Sequence, residues 1–358
     1  MKNLLIALSL LITGFTITYS QTGETLEMKI DKLFMEYDQP NTPGAAVLIA
    51  KAGEVLYKKG FGYANLEENI PVTPTTYFRL ASVSKQFTAA CVLKLIESGK
   101  LKLTTTLTEL FKDFPSYGSE IKIEHLLNHT SGLIDYEDLI PDTTTIQVKD
   151  IDVLNMMKTQ TKTYFEPGTE YKYSNSAYAL LALIVENLSG KRFASFLHDN
   201  IFEPLEMNGT VAFEDGISTV PNRAFGYSKK DDGYMRTDQS ITSAVLGDGG
   251  IYSSIEDLMK WEASLFTEKI LKAEMIEKAT TRKPFKNGKM NDYGYGWFLK
   301  KYGDKEVVYH TGDTRGFRTI LYRIPSERIL IIVLINRNEG EMEELAEKVL
   351  EQSGLLRK

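Results

Sequence analysis

The sequence is poor in cysteine and carries no excess of positive charge. One cysteine, Cys91, occurs among 358 residues, which excludes a disulfide within the chain. The formal net charge of -6 argues against nucleic acid or an anionic membrane surface as a partner. No repeat, low-complexity tract or linker marks a further domain. With 42% hydrophobic and 25% charged residues, the chain has the composition of a globular protein with a large core.

Long hydrophobic runs are also lacking, except at the N-terminus. After Lys2, the apolar run from Leu4 to Phe15 is too short to cross a bilayer, and small residues precede Gln21. This pattern predicts a signal peptide over residues 1–20, and a retained membrane anchor is the alternative. No cysteine lies near the cleavage site, which argues against a lipid anchor. We therefore expect a periplasmic or secreted protein whose mature form is not membrane-bound.

The segment from Phe78 to Gly99 contains the strongest candidate for chemistry. From Phe87 onward its apolar residues recur at a helical period, which predicts a mostly buried helix with Cys91 in its apolar face. Ser82 lies at the start of this helix, and Lys85 follows on the same face. A hydroxyl beside an amine at a helix N-terminus is a candidate nucleophile, because the amine can accept the proton.

The spacing of Ser82 and Lys85 does not identify a site by itself. An N-capping serine followed by a surface lysine has the same spacing. The chain also contains a second Ser-x-x-Lys match, Ser119 to Lys122. Further motifs are needed to choose between these alternatives.

Two further motifs follow in a fixed order. Tyr173-Ser174-Asn175 precedes a predicted helix, and His310-Thr311-Gly312 ends a strand-like run. Ser-x-x-Lys, Tyr-x-Asn and His-Thr-Gly in this order resemble the serine β-lactamase and penicillin-binding family, closest to class C β-lactamases, DD-peptidases and related esterases. The resemblance covers nearly the whole chain after residue 20.

The resemblance implies an acyl-enzyme mechanism with four catalytic residues. Ser82 would be the nucleophile, Lys85 and Tyr173 would exchange its proton, and His310 would take the place of the third motif's basic residue. A lysine ammonium beside a phenol would lower the phenol's pKa, so that the pair transfers protons near neutrality. Which of the two is the resting base stays open.

Substrate contacts would come from Asn175, Thr311, Gly312 and Asp313. The Asn175 amide would bond a substrate carbonyl and Lys85, and Gly312 would let the substrate backbone approach closely. The backbone N–H groups of Ser82 and Asp313 would form the oxyanion hole. Asp313 replaces the small residue that is commoner in the family, so it would repel anionic substrates, select cationic ones, or point outward.

Other charged residues leave further alternatives. Arg315 and Arg318 would either hold a substrate carboxylate or be ordinary surface charge. His125 and His129 have the i, i+4 spacing of metal ligands, but no third ligand or base is placed as in metalloproteases. We expect neither a metal nor a cofactor, and the sequence does not determine the oligomeric state.

His310 in place of lysine resembles the DD-peptidases and esterases more than the class C β-lactamases, which argues against a dedicated β-lactamase. Among the activities that the resemblance implies, we favour that of a DD-peptidase- or amidase-like peptidase. We therefore expect a serine hydrolase that cleaves an amide or ester bond of a peptide or small molecule. The alternatives are a β-lactamase, a small-ester esterase, and a penicillin-binding sensor that acylates without turnover.

Strand-like segments lie at both ends of the chain and helical ones in the middle. This arrangement predicts an α/β (α+β) fold, in which an antiparallel sheet built from both termini is flanked by helices. The sheet part would span about 21–75 and 280–358, and an inserted all-helical lobe about 76–279, within one catalytic domain from 21 to 358. The stretch from Tyr227 to Gln239 is predicted to be an exposed loop.

Overall fold

The computed structural model describes residues 24–356, so the predicted signal peptide lies outside the described residues. Fifteen strands are described, in the order β1 (Ala45–Lys51), β2 (Glu54–Phe61), β3 (Tyr63–Asn65), β4 (Ile70–Pro71), β5 (Phe78–Arg79), β6 (Val211–Ala212), β7 (Tyr227–Lys230), β8 (Gly233–Arg236), β9 (Ile251–Ser253), β10 (Lys283–Pro284), β11 (Met290–Asn291), β12 (Phe298–Tyr302), β13 (Lys305–Thr314), β14 (Phe317–Ile324) and β15 (Ile329–Ile335).

Eleven α-helices are described in the same part of the chain. They are α1 (Leu26–Phe34), α2 (Lys85–Glu97), α3 (Leu107–Leu110), α4 (Ile123–Leu127), α5 (Asp150–Thr159), α6 (Asn175–Ser189), α7 (Phe193–Leu197), α8 (Leu246–Gly249), α9 (Ile255–Ser264), α10 (Ala273–Ala279) and α11 (Met342–Ser353). Short 3₁₀ turns include Ala81–Ser84 directly before α2, and a π-helical turn, His198–Phe202, follows α7. No helix among residues 24–356 is long and apolar enough to cross a membrane.

The main sheet joins the two ends of the described chain. Its six antiparallel strands have the order β12-β13-β14-β15-β1-β2, and Ala45 pairs with Ile335 where β1 meets β15. Strands β1 and β2 form an antiparallel hairpin whose turn contains Ala52 and Gly53. The expected antiparallel sheet built from both ends and flanked by helices is thereby confirmed.

Helices cover both faces of the sheet, and the sequence of its central strands shows why. In β15, Ile331 and Val333 pack with α1 and α11, whereas Leu330 and Ile332 belong to the larger core on the other face. Successive side chains of a strand point to opposite faces, so a strand that is buried on both faces needs an unbroken apolar run. All seven residues of β15 are buried.

The helical part of the chain packs around α6. Its residues from Ser176 to Val185 are all buried; Ser174 caps its start, and Gly190 ends it in a left-handed conformation at φ 70°. Helices α2, α5 and α8 pack against it. The segments that carry Ser82, Tyr173 and Asp248 are therefore fixed to one rigid core.

The stretch from Tyr227 to Gln239 differs from its prediction. Instead of a loop, it forms the two-stranded hairpin of β7 and β8, and Tyr227 is 1% exposed. The Tyr227 hydroxyl donates to Glu67 at 2.6 Å. Lys, Asp and Gly dominate the hairpin's exposed positions. The composition of this stretch therefore indicated a loop and not two short strands.

Candidate active site

The predicted nucleophile lies in a strained turn before a buried helix. Ser82 belongs to the 3₁₀ turn Ala81–Ser84, and Ala81 adopts a φ of +49°, in the left-handed region that non-glycine residues seldom occupy. Such a residue costs on the order of 1–3 kcal/mol, which the surrounding packing has to offset. The turn leaves Ser82 partly exposed at a small cleft of about 50 Å³.

Lys85 is fully buried next to Ser82, and its ammonium has three partners. Its Nζ donates to Ser82 Oγ at 3.1 Å, to Asn175 Oδ1 at 2.8 Å and to the carbonyl oxygen of Asp248 at 2.8 Å. Three donors therefore meet three acceptors, and the amine is held in one position. The expected contact between Asn175 and Lys85 is confirmed.

Burial also changes the proton affinity of Lys85. The loss of solvent lowers its pKa to about 8, and the negative charge of Asp248 opposes that fall. Burial likewise raises the pKa of the Asp248 carboxyl, which accepts a hydrogen bond from the Tyr136 hydroxyl at 3.0 Å. The neutral amine that a base requires is thus more accessible near neutral pH than it is in an ordinary exposed lysine.

Tyr173 lies beside this pair but differs electrostatically from its prediction. Lys85 Nζ lies 4.8 Å from the centroid of the Tyr173 ring, over its face. Burial raises the pKa of Tyr173 well above its usual value, so the predicted lowering by Lys85 is wrong. Ser82 lies near enough to oppose this rise, yet the buried Tyr173 hydroxyl makes no hydrogen bond of good geometry within residues 24–356.

His310 occupies a supporting position behind Tyr173. Its Nδ1 lies 2.6 Å from the Thr311 carbonyl oxygen and its Nε2 lies 2.8 Å from the Tyr293 hydroxyl. Burial and the nearby Lys85 lower the pKa of His310 to about 3, so the imidazole is neutral. A neutral ring donates from Nδ1 and accepts at Nε2 here. None of its hydrogen bonds goes to Ser82, Lys85 or Tyr173, which does not match the direct catalytic position predicted for it.

The third motif forms the edge strand of the cleft. Beyond the pair Phe298 and Tyr309, β13 has no further pairing with β12. A Cβ on Gly312 would lie 2.1 Å from the Leu80 carbonyl oxygen and 2.2 Å from Thr319 Oγ1. Glycine is therefore required for the close packing of β13 on the Ser82 turn, and its role in the approach of a substrate stays a prediction. Thr311 lies in the same strand, partly exposed.

Asp313 lies at the mouth of the cleft, and its side chain is 73% exposed. It pairs with Arg318 at 2.5 Å, and Arg318 also donates to the carbonyl oxygens of Thr314 and Phe317. Arg318 is therefore engaged within the protein, whereas Arg315 is exposed and makes no ion pair within residues 24–356. The oxyanion hole assigned to the backbone N–H groups of Ser82 and Asp313 stays a prediction.

Several residues of the site were not predicted. Asp150 holds the α8 turn: its two carboxylate oxygens accept from the backbone N–H groups of Leu246 and Gly247 at 2.9 and 3.0 Å. The next residue, Asp248, supplies the carbonyl oxygen that binds Lys85. The only sequence signal was the glycine-rich run around Asp248, because Asp150 lies far from it in the chain.

His129 contacts the segment Tyr173-Ser174-Asn175 of the second motif. Its Nδ1 accepts from the Ser174 backbone N–H at 3.1 Å, and its ring centroid lies 4.2 Å from that of Tyr173. The Nδ1 of the other histidine of the i, i+4 pair, His125, accepts from the Lys122 backbone N–H at 3.2 Å. Both histidines thus bond to the backbone of the protein.

Comparison with known proteins identifies the family to which this fold and site belong. The family described as Beta-lactamase matches residues 30–354, and the chain belongs to it. A penicillin-binding protein of Bacillus subtilis is 32% identical over 325 residues, which cover 87% of this chain and 72% of that protein. The chain is thus a serine hydrolase of this family.

Two further relatives extend the comparison. A D-aminopeptidase of Gluconobacter oxydans is 31% identical over 82% of this chain, which spans only 56% of that protein's length. The structure of an octameric penicillin-binding protein homologue from Pyrococcus abyssi superposes with a TM-score of 0.77 at 28% identity, covering 91% of this chain and 76% of that one. These proteins confirm the predicted family resemblance and fold.

Proposed function

We propose that this serine hydrolase cleaves the amide bond of D-amino acid amides or peptides that carry a free amino group, through an acyl-enzyme on Ser82. The observation that carries the proposal is the 3.1 Å contact between Ser82 Oγ and a buried Lys85 whose pKa is lowered. A hydroxyl and an amine at hydrogen-bond distance, with the amine partly neutral, are the elements of an activated nucleophile.

The proposed reaction uses Lys85 as acceptor and donor of one proton. Neutral Lys85 takes the Ser82 proton while Oγ bonds to the substrate carbonyl carbon. The C–N bond then breaks, and the leaving nitrogen takes the proton from Lys85. Water attacks the acyl ester and gives a proton to Lys85, which returns it to Oγ as the acid leaves. Tyr173, neutral because its pKa is raised, would donate a hydrogen bond to the reacting groups.

The charges of the cleft support a substrate with an ammonium group. Three carboxyl groups line it, those of Glu137, Asp248 and Asp313. The one lining guanidinium, Arg79, is 4% exposed and donates to Gln239 and to the Ser243 carbonyl oxygen. An acidic cleft attracts a free α-amine and repels a terminal carboxylate. The D-aminopeptidase relative supports the same substrate class.

A panel of substrates tests this proposal. The rates of D-alanine p-nitroanilide, its L-isomer, its N-acetyl form, a D-Ala-D-Ala peptide, a chromogenic cephalosporin and p-nitrophenyl acetate are compared. We expect kcat/KM to be at least about 10-fold higher for the free D-amine than for the L-isomer or the N-acetyl form. Preference for the D-Ala-D-Ala peptide, the cephalosporin or the ester would overturn the proposed substrate class.

Glu137 provides a sharper version of the same test. Its Oε1 accepts from Asn175 Nδ2 at 3.1 Å, and a glutamine keeps this acceptor while it removes the charge. Glu137→Gln is expected to raise KM for the free amine but not for the N-acetyl substrate. Glu120→Gln, a change at an exposed position beside Lys122, is the matched control.

We further propose that the protein is exported, as the N-terminal run predicts. Mass spectrometry of the protein secreted by a host with a signal peptidase is expected to show a chain that begins at Gln21. A chain that retains Met1 and stays with the membrane would contradict export with cleavage.

A further inference from the structure

A second cavity, which we call the rear cavity, lies in the helical part of the chain. It measures about 450 Å³, against about 50 Å³ for the Ser82 cleft, and the two share no lining residue. Its rim includes Ile146, Ile151 and Ile217, and its walls include Asp150, Glu186 and Asp215. Its volume falls within the range of about 300–1,000 Å³ that small-molecule sites occupy.

The rim of the rear cavity is unusually apolar for a surface. Ile146 is 81% and Ile217 65% exposed, which makes them the two most exposed large hydrophobic side chains within residues 24–356; Ile151 is 49% exposed. Single exposed apolar residues are common, but three around one concave opening are typical of a binding site.

The charge of the rear cavity is predominantly acidic. Glu186 and Asp215 line it together with Glu214, which pairs with Arg192 at 2.9 Å, and Lys149 is its only lining cation. Asp215 is exposed and makes no ion pair with any residue between 24 and 356. Carboxylates beside an apolar rim complement a ligand that joins a cation to a hydrocarbon group.

One wall of the rear cavity continues to the catalytic lysine. Leu246 faces the rear cavity, while Asp248 and Gly249 line the Ser82 cleft. The Asp150 carboxylate binds the backbone N–H groups of Leu246 and Gly247, and the Asp248 carbonyl oxygen binds Lys85 Nζ at 2.8 Å. A cation beside Asp150 would attract the same carboxylate oxygens that hold this wall in place.

We propose that the rear cavity is a second binding site, for a hydrophobic ammonium compound, and that its occupation changes the reactivity of Ser82 through the α8 wall. The binding does not depend on the substrate proposed above. Both parts are testable on the whole protein.

Calorimetric titration tests the binding. The probes are n-octylammonium, 1-octanol and n-octyl sulfate, which share the hydrocarbon chain and differ in charge. We expect the affinity for octylammonium to exceed that for the other two by at least about 10-fold. The double variant Ile146→Ser/Ile217→Ser should lose at least about 10-fold in affinity, because both side chains are exposed rim contacts. Met235→Ser, at a 46% exposed position outside the rear cavity, is the matched control.

Equal affinities for the three probes, or an unchanged affinity in the double variant, would overturn the proposed binding site.

The coupling to Ser82 is tested by the rate at which a fluorophosphonate labels this residue. Saturating octylammonium should change this rate by at least about 3-fold in the wild type and in Met235→Ser, but not in the double variant. An unchanged labelling rate, at an octylammonium concentration that saturates the calorimetric titration, would refute the coupling. It would not change the conclusion about binding. If only the substrate panel contradicted its prediction, neither the binding site nor its coupling to Ser82 would be contradicted.

Discussion

The two Ser-x-x-Lys motifs of this chain have the same spacing and entirely different surroundings. Lys85 is 0% exposed and donates to Ser82, Asn175 and the Asp248 carbonyl oxygen. Ser119 lies in the short 3₁₀ turn Ser116–Glu120, and Lys122, the residue before α4, is exposed to solvent like Ser119. Spacing brings a hydroxyl and an amine to one face, but burial lowers the amine's pKa and the partners fix its position.

The first prediction compares the two serines. Ser82→Ala should lower hydrolysis by at least about 10⁴-fold, because the nucleophile is lost, whereas Ser119→Ala should leave the rate unchanged. Labelling with a fluorophosphonate, followed by gel fluorescence, measures both. Equal labelling of Ser82→Ala and the wild type would end the assignment of the nucleophile.

The two lysines give the next largest difference. Lys85→Met should lower kcat/KM by about 10²–10⁴-fold, since the proton acceptor of Ser82 is removed. Lys122→Met should have no effect on the rate. Thermal unfolding of both variants controls for folding, because methionine leaves the partners of Lys85 without a donor. An active Lys85→Met variant would assign the base to another group.

Asp150 extends the comparison to the residues that position Lys85. Asp150→Asn keeps one oxygen acceptor and loses the other, which should lower kcat about 10-fold with little change in KM. Asp152→Asn is the control, because its carboxylate lies in the same helix and accepts from the exposed Lys149 backbone N–H at 2.9 Å. Equal losses of kcat in both variants would show that Asp150 has no special role.

The smallest expected effect is a shift of the pH profile. With the pKa of Lys85 lowered to about 8, kcat/KM should rise with pH toward that value as the amine loses its proton. The charge of Asp248 raises this pKa, so Asp248→Asn should lower it and move the rising limb by about one unit toward lower pH. Glu120→Gln, beside Lys122, should leave the profile in place. A shift toward higher pH in Asp248→Asn would contradict this electrostatic account.

Much of the fold could be predicted from the sequence because its signals are local. The helix predicted after Tyr173-Ser174-Asn175 is α6, and the strand-like run that ends in His310-Thr311-Gly312 belongs to β13. The hairpin of β7 and β8 was missed, because its polar strands gain their stability from contacts such as the one between Tyr227 and Glu67.

The candidate site was predictable only in part. The ordered motifs named Ser82, Lys85, Tyr173 and Asn175, and the structure brings these four together. The close packing of Gly312 and the hydrogen bond between His310 and Tyr293 were not predicted, because the Leu80 carbonyl oxygen and the Tyr293 hydroxyl are remote or unmarked in sequence. The direction of the Tyr173 pKa shift was misjudged, since burial outweighed the neighbouring charge.

The sequence by itself determined the apolar periodicity of the helices and strands, the position of the Ser82 turn before α2, and the order of the motifs. These features follow from side-chain chemistry within a few residues. Only the tertiary structure decided which Ser-x-x-Lys pair is buried, which proton affinities change, and that Asp150 and Asp248 stand behind Lys85. Desolvation and hydrogen bonding depend on the three-dimensional surroundings of a group, and residues distant in the chain supply those surroundings.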